Sequence, residues 1–128
     1  MASIFSKIIS GEIPCYKVEE NDRFLAFMDI LPIRKGHVLV IPKIEVDNIF
    51  DLEDELLGEM MIFAKIVAKR IQHNFHCKKV GVTVIGLEVP HAHIHLIPIN
   101  SVADMDFSQE KLELSSEELI EICALLQN

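Results

Sequence analysis

Tryptophan is absent from this sequence, tyrosine occurs once, and the only cysteines are Cys15, Cys77 and Cys123. The cysteines lie far apart and form no C-x-x-C pair, so no disulfide framework, zinc motif or redox motif is indicated, and we expect reduced thiols. The chain also has no apolar run of about 18 residues or more and no signal-peptide pattern. These absences predict a cytoplasmic protein that does not associate with a membrane.

Positive charge is also scarce. Twelve Lys and Arg residues stand against 20 Asp and Glu, a formal net charge of −8, which argues against binding nucleic acid along an extended surface. A small anionic ligand is still compatible with this charge if a local pocket supplies donors. The hydrophobic fraction of 50% is enough for one core, and no repeat or linker divides the chain, so we expect a single domain over residues 1–128.

The first half of the chain predicts one short helix and three strands. In "SIFSKIISGE", Ser3 is a suitable N-cap and Gly11 a suitable stop for a helix of about two turns. The segment "CYKVEENDRFLAFMD" predicts a hairpin that turns at Asn21 and Asp22. The apolar run Val38–Ile41 then predicts a buried strand.

The second half predicts a long helix, two strands and a final helix. From Asp51, "DLEDELLGEMMIFAKIVAKRIQHNF" begins with acidic residues, ends with basic ones and carries an apolar stripe. The runs "KKVGVTVIG" and "HAHIHLIPI" are extended, and Ser115 and Glu118 have the spacing of a capping box for a helix over 115–127. This order predicts an α+β fold, in which the long helix and an extra C-terminal helix accompany an antiparallel sheet of about five strands.

Three of the six histidines, His91, His93 and His95, alternate with apolar residues in "HAHIHLIP". Residues two apart in a strand point to the same face, about 6.6 Å apart, so these side chains form a row. The residues between them, Ala92 and Ile94, point to the opposite face. A row of this kind is uncommon at positions that simply face solvent.

Two functional interpretations of the row compete. Neighbouring histidines can bind one zinc ion, with His37 or Glu88 as an additional ligand. Alternatively, the row acts on a phosphate ester or amide, because a neutral imidazole is a good nucleophile and its neighbours can hold phosphoryl oxygens and transfer protons.

"HAHIHLIP" resembles the His-x-His-x-His-x-x signature of the histidine triad (HIT) superfamily. Residues 3–43 are similar to the N-terminal half of its nucleotide-binding, Hint-like branch of nucleoside phosphoramidate hydrolases, including the segments "DILP" and "GHVLVIPK". The two matches together extend over most of residues 3–99. The resemblance implies a HIT-like fold and a nucleotide substrate.

The resemblance also implies roles for individual residues. It makes His93 the nucleophile that forms a covalent nucleotidyl-histidine, with His91 and His95 orienting it and binding the phosphate and His37 supporting them. Asp29 matches the residue that accepts hydrogen bonds from the ribose hydroxyls. The positions that match an apolar slot for the base are Ile4, Phe5, Ile8, Phe27 and Ile30; core packing is an open alternative for Ile4 and Ile8.

The sequence departs from the family pattern at three places, one of which is the helix over 115–127, where many relatives have short tails. Ser3, Ser6 and Glu45 occupy positions where many relatives have two cysteines and a histidine that bind zinc, so we expect no metal and no other cofactor. Before the triad, Val80, Leu87 and Glu88 replace residues that commonly contact the phosphate or the leaving group. Glu88 either repels the phosphate or recognises a cationic leaving group such as a lysine-like amine.

We therefore expect a homodimeric hydrolase acting at the α-phosphorus of a purine nucleoside 5′-monophosphate derivative, such as a nucleoside phosphoramidate. Transferases of the superfamily typically have Gln at the last triad position, so His95 favours hydrolysis. The alternatives are a dinucleoside polyphosphate hydrolase, a nucleotide-binding regulatory protein with little turnover, and a metal-dependent hydrolase.

Overall fold

The structure, a computed structural model, describes residues 2–128. Five antiparallel strands form one sheet in the order β1-β2-β3-β5-β4, so the predicted α+β class and strand number are confirmed. No helix within these residues is both long and apolar enough to cross a membrane. The elements are α1 Ile4–Ser10, β1 Lys17–Glu20, β2 Phe24–Met28, β3 Val38–Pro42, α2 Asp54–Asn74, β4 Lys79–Thr83, β5 Ile94–Ile99 and α3 Ser116–Leu126, with 3-10 turns at Ile49–Asp51 and Val102–Met105.

Both ends of α1 are fixed by the residues expected to do so. The Ser3 hydroxyl accepts a hydrogen bond from the Ser6 backbone N–H, and Gly11 ends the helix with φ +88°. Glycine populates this left-handed region without the steric cost that a Cβ imposes. The N-terminal end of α1 is thereby placed where it can contact the segment that precedes β5.

The central strands are buried on both faces, and the two faces pack against different elements. One face, with Ala26, Val40 and Ile94, forms the main core with α2 and α3. The other face carries a smaller apolar cluster, which consists of Phe5 from α1 with Leu25, Phe27, Leu39 and Ile41 from β2 and β3. The histidines lie on this second face.

Helix α3 packs against the main core of the same chain. The Ser115 hydroxyl accepts from the Glu118 N–H and the Glu118 carboxylate accepts from the Ser115 N–H, which confirms the capping box. The helix packs against α2 and β1, and the Gln127 side-chain amide donates to the Lys17 carbonyl at 2.8 Å. Its buried residues, Leu119, Ile122, Cys123 and Leu126, belong to the main core.

Two boundaries differ from the sequence-based expectation. Helix α2 begins at Asp54, because Leu52 and Glu53 adopt extended backbone conformations after the 3-10 turn. Strand β5 begins at Ile94, so His91 and His93 precede it. The Ala92 N–H bonds to the Val46 carbonyl at 2.7 Å, and this loop contact takes the place of a ladder hydrogen bond.

Candidate active site

The candidate residues converge because the ends of three neighbouring strands meet. Asp29 directly follows β2 and His37 directly precedes β3, and the Asp29 N–H donates to the His37 carbonyl at 3.1 Å. His95 pairs with Leu39 of β3. The His93 and His95 ring centroids are 5.0 Å apart, so the predicted row is present although only His95 belongs to the strand.

Hydrogen bonds to both ring nitrogens fix the tautomer of His91. Its Nε2 lies 2.9 Å from the Pro42 carbonyl oxygen, which can only accept, so Nε2 carries the proton. Its Nδ1 then accepts from the Ser3 hydroxyl at 2.9 Å. The fully buried ring has both polar atoms satisfied and a single orientation.

The same reasoning assigns the proton of His93. Its Nδ1 lies 2.7 Å from the carbonyl oxygen of His91, so Nδ1–H is the donor. In the neutral ring, Nε2 then has an unprotonated lone pair. This nitrogen has the electronic state that a nucleophile needs.

His37 and His95 form a second hydrogen-bonded pair. His37 Nδ1 accepts from the Ile33 N–H at 3.2 Å, so its proton is on Nε2, which donates to His95 Nδ1 at 2.9 Å. A neutral His95 therefore carries its own proton on Nε2. It can donate that proton to a phosphoryl oxygen or to a leaving group.

Burial keeps these rings uncharged at neutral pH. Desolvation lowers the pKa of His37 to about 3 and that of His95 to about 4, and in each case a neighbouring imidazole adds to the effect. Desolvation also lowers the pKa of His93, partly offset by its bond to the His91 carbonyl. Burial therefore favours the neutral form of His93, which has the unprotonated nitrogen that a nucleophile needs.

Phe5 and Phe27 form the apolar side of the site. The Phe5 ring meets His93 edge-to-face at 4.9 Å between centroids and meets Phe27 at 5.6 Å. Ile8 packs against their cluster. Ile4 and Ile30 are 48% and 57% exposed, which excludes core packing as the role of either side chain.

Asp29 lies at the open side of the site. Its Oδ1 accepts from the Leu31 N–H at 2.9 Å, and its Oδ2 is 3.7 Å from His37 Nε2. Partial burial raises the pKa of this carboxyl above its ordinary value, although the Leu31 N–H opposes the rise.

The three residues that depart from the family pattern before the triad, Val80, Leu87 and Glu88, lie in different parts of the structure. Glu88 is exposed and close enough to His93 for its charge to raise the pKa of that ring. Leu87 is 89% exposed and borders a separate groove with Ile85 and Phe50. Val80 packs against the main core. Only Glu88 of these three is placed at the histidines.

Ser3, Ser6 and Glu45 form a hydrogen-bonded cluster next to His91. The Glu45 carboxylate accepts from the Ser3 N–H at 2.6 Å and from the Ser6 hydroxyl at 2.7 Å. These bonds lower the pKa of Glu45 to about 2. The donor set does not fit a structural zinc ion, which takes thiolate and imidazole ligands.

Asp29, His37 and His95 each offer a ligand atom, and these atoms lie within 4.8 Å of one another, so the group could hold a metal ion. The facing nitrogens of His37 and His95 already share a proton in a 2.9 Å hydrogen bond, which a metal would have to displace.

Phe107 is a site residue that the sequence does not indicate. Its ring packs edge-to-face on His95 at 4.8 Å and on His37 at 6.2 Å between centroids. It is an isolated aromatic residue in a polar loop, without the periodicity that identifies core positions. Only the path of that loop brings it to the triad.

Comparison with known proteins identifies the family. The HIT domain model matches residues 10–102. The chain is 39% identical over 99 residues to adenosine 5′-monophosphoramidase hnt1 of Schizosaccharomyces pombe, covering 77% of this chain and 74% of the relative. It is 38% identical over 102 residues to Protein hit of Bacillus subtilis, covering 74% and 69% of the two chains.

A solved structure gives the same result for the fold. The Hit-like protein involved in cell-cycle regulation from Bartonella henselae superposes with a TM-score of 0.83 at 32% identity, covering 98% of this chain and 94% of that one. The chain belongs to the HIT family. The resemblance inferred from the triad and from residues 3–43 is thereby confirmed.

The lowered pKa of His37 predicts how stability depends on pH. The unfolded ring takes a proton below about pH 6.5, whereas the buried ring stays neutral, so the stabilising contribution is present above pH 6.5 and is lost as pH falls. Wild type should lose about 2 kcal/mol more than His37→Gln between pH 7 and pH 5. Urea denaturation at both pH values measures this, and equal losses would contradict it.

Proposed function

We propose that this protein is a hydrolase acting at the α-phosphorus of a purine nucleoside 5′-monophosphate derivative, such as a nucleoside phosphoramidate. The observation that carries the proposal is the hydrogen bond from His93 Nδ1–H to the His91 carbonyl, which leaves Nε2 free to attack. The phosphoramidase name of the Schizosaccharomyces pombe relative supports the substrate class.

In the first step, His93 Nε2 attacks the phosphorus and the bond to the leaving nitrogen breaks. The nitrogen departs as an amine after taking up a proton that reaches it from solvent through His95 Nε2–H. In the second step, water attacks the phosphorus and the bond to His93 breaks. The nucleoside 5′-monophosphate is released and the proton lost by water returns to solvent.

Asp29 and the apolar residues hold the nucleoside in this proposal. Asp29 Oδ2 accepts hydrogen bonds from the ribose hydroxyls, since Oδ1 is occupied by the Leu31 N–H. The exposed faces of Ile4 and Ile30 contact the purine, and the remaining members of the base slot are Phe5, Ile8 and Phe27. His91 and His37 are positioning residues that act through His93 and His95.

The central experiment measures hydrolysis of adenosine 5′-phosphoramidate, beside a diadenosine polyphosphate, by wild type and by His93→Ala in the presence of a chelator. Wild type should turn over the phosphoramidate, and His93→Ala should lose at least about 10³-fold in kcat because the nucleophile is gone. Activity that the chelator abolishes would indicate a metal-dependent enzyme.

A preference for the diadenosine polyphosphate would indicate that the protein is a dinucleoside polyphosphate hydrolase. Binding of nucleotide without turnover of either compound would indicate a regulatory protein.

Glu88 is proposed to recognise a cationic leaving group. It is exposed beside His93, and it makes no ion pair or side-chain hydrogen bond within residues 2–128. An amine that carries a second, positively charged group would find an unpaired carboxylate at the mouth of the site.

Substitution tests this role with leaving groups that differ only in charge. Glu88→Gln should reduce the preference for a lysine-like over an uncharged amine by roughly fivefold, the effect of about 1 kcal/mol for an exposed charge pair. The matched control is Glu121→Gln on the exposed side of α3. Kinetics that equal wild type for both leaving groups would exclude a role for Glu88.

We also propose that the protein is cytoplasmic and forms a homodimer. Each chain is then one domain over residues 1–128, to which residues 115–127 add a C-terminal helix. The HIT match ends at residue 102, before α3. An exposed apolar patch beside the edge strand β4 supports self-association, because patches of this kind commonly mark interfaces. It surrounds a groove of about 530 Å³ and includes Phe50, Met61, Val82, Val84, Ile85 and Leu87.

Light scattering at micromolar concentration should give twice the mass of one chain. Phe50 is 83% exposed, so Phe50→Lys should cost the monomer little and shift the mass toward one chain. Leu125→Lys, on the exposed side of α3, is the control and should remain dimeric. A wild-type mass equal to one chain would contradict the proposal.

A further inference from the structure

The site lacks positive charge of its own. His37, His93 and His95 are held neutral, and Asp29 and Glu88 are acidic. The whole chain has a net charge of −8. A cation close to the histidines would therefore favour binding of a nucleotide phosphate.

Several cations of the chain are paired with carboxylates. Arg34 contacts Asp104 at 3.0 Å and Lys43 contacts Glu20 at 2.7 Å. Lys111 makes no ion pair within residues 2–128. Its ammonium lies 5.3 Å from the centroid of the Phe107 ring. That distance is within the range of a cation–π interaction.

Phe107 links this lysine to the triad. Its ring contacts both the Lys111 ammonium and the His95 ring, whose centroid lies 4.8 Å from its own. The Lys111 ammonium also donates a long, exposed hydrogen bond of 3.5 Å to the Phe107 carbonyl. Both contacts are weak, so an anionic partner would replace them.

The loop that carries both residues is attached to the loop that carries Asp29. The Leu112 N–H donates to the Pro32 carbonyl at 2.8 Å. Lys111 is thus anchored through Leu112 to Pro32, which lies three positions after Asp29.

The charge of Lys111 also acts across the site. Burial is the main cause of the raised pKa of Asp29 and of the lowered pKa of His37 and His95. Lys111 lowers the pKa of all three groups, so its charge is felt at both the carboxylate and the imidazoles.

We propose that Lys111 is a phosphate-binding residue, and that Phe107 holds its ammonium beside His95 before the nucleotide arrives. The inference rests on the proposed function and deepens it, because it makes recognition of the phosphate depend on the loop between β5 and α3. The ammonium offers three donors to phosphoryl oxygens and supplies the missing positive charge.

Calorimetric titration with adenosine 5′-monophosphate and with adenosine tests the inference. Lys111→Met should weaken binding of the monophosphate by about tenfold, the effect expected for loss of a charge-assisted hydrogen bond, and leave adenosine binding unchanged. Lys111→Arg should keep most of the affinity. Lys69→Met is the matched control, because this exposed lysine lies on α2, which packs against the opposite face of the sheet.

Unchanged affinity of Lys111→Met for the monophosphate would overturn the inference and leave the proposed function intact. Equal weakening of adenosine binding would also overturn the inference. That result would mean that Lys111 contributes to the shape of the site and that its charge does not recognise the phosphate. If wild type bound neither compound, the nucleotide site itself would be refuted, and the inference with it.

Discussion

The hydrogen bond from His93 Nδ1–H to the carbonyl oxygen of His91 decides which nitrogen of the central ring is available for chemistry. It depends on the local backbone, in which His91 and His93 precede the strand and bend so that a carbonyl meets a ring two residues later. His91 is in turn held by the Pro42 carbonyl at the end of β3. The unprotonated nitrogen of His93 is therefore determined by backbone atoms, which a side-chain substitution elsewhere cannot easily move.

Burial contributes the second half of this arrangement. Because the histidines lie on a sheet face that is covered by Phe5, Phe27 and Phe107, charged rings are disfavoured and the tautomers persist at neutral pH. The opposite face packs against α2 and α3. One face of the sheet therefore forms most of the core, while the other face carries the histidines.

Local signals account for the parts of the structure that the sequence predicted well. The caps at Ser3, Gly11 and Ser115 depend on side chains within a few residues, and the stripe of α2 depends on its own period. The start of β5 differs from the prediction because the partner of the Ala92 N–H is Val46, which lies far away in the sequence.

The same limit applies to the site. The period of the histidines and the family resemblance brought together the triad, His37 and Asp29. Phe107 and Lys111 could not be found this way, because their positions depend on the path of an irregular loop with no repeating pattern. The sequence indicates the contact between Ser3 and His91 only indirectly. Ser3, Ser6 and Glu45 occupy positions that bind zinc together with the first triad histidine in many relatives, so they are expected to lie close to His91.

The cluster of Ser3, Ser6 and Glu45 attaches α1 to the triad through oxygen and nitrogen atoms alone. An attachment through thiolates and zinc is broken by oxidation or by competition for the metal, whereas hydroxyl and carboxylate groups respond to neither. With the pKa of Glu45 at about 2, acidification within the physiological range does not release it either. Helix α1 is therefore joined to the triad by a connection that neither oxidation nor competition for a metal breaks.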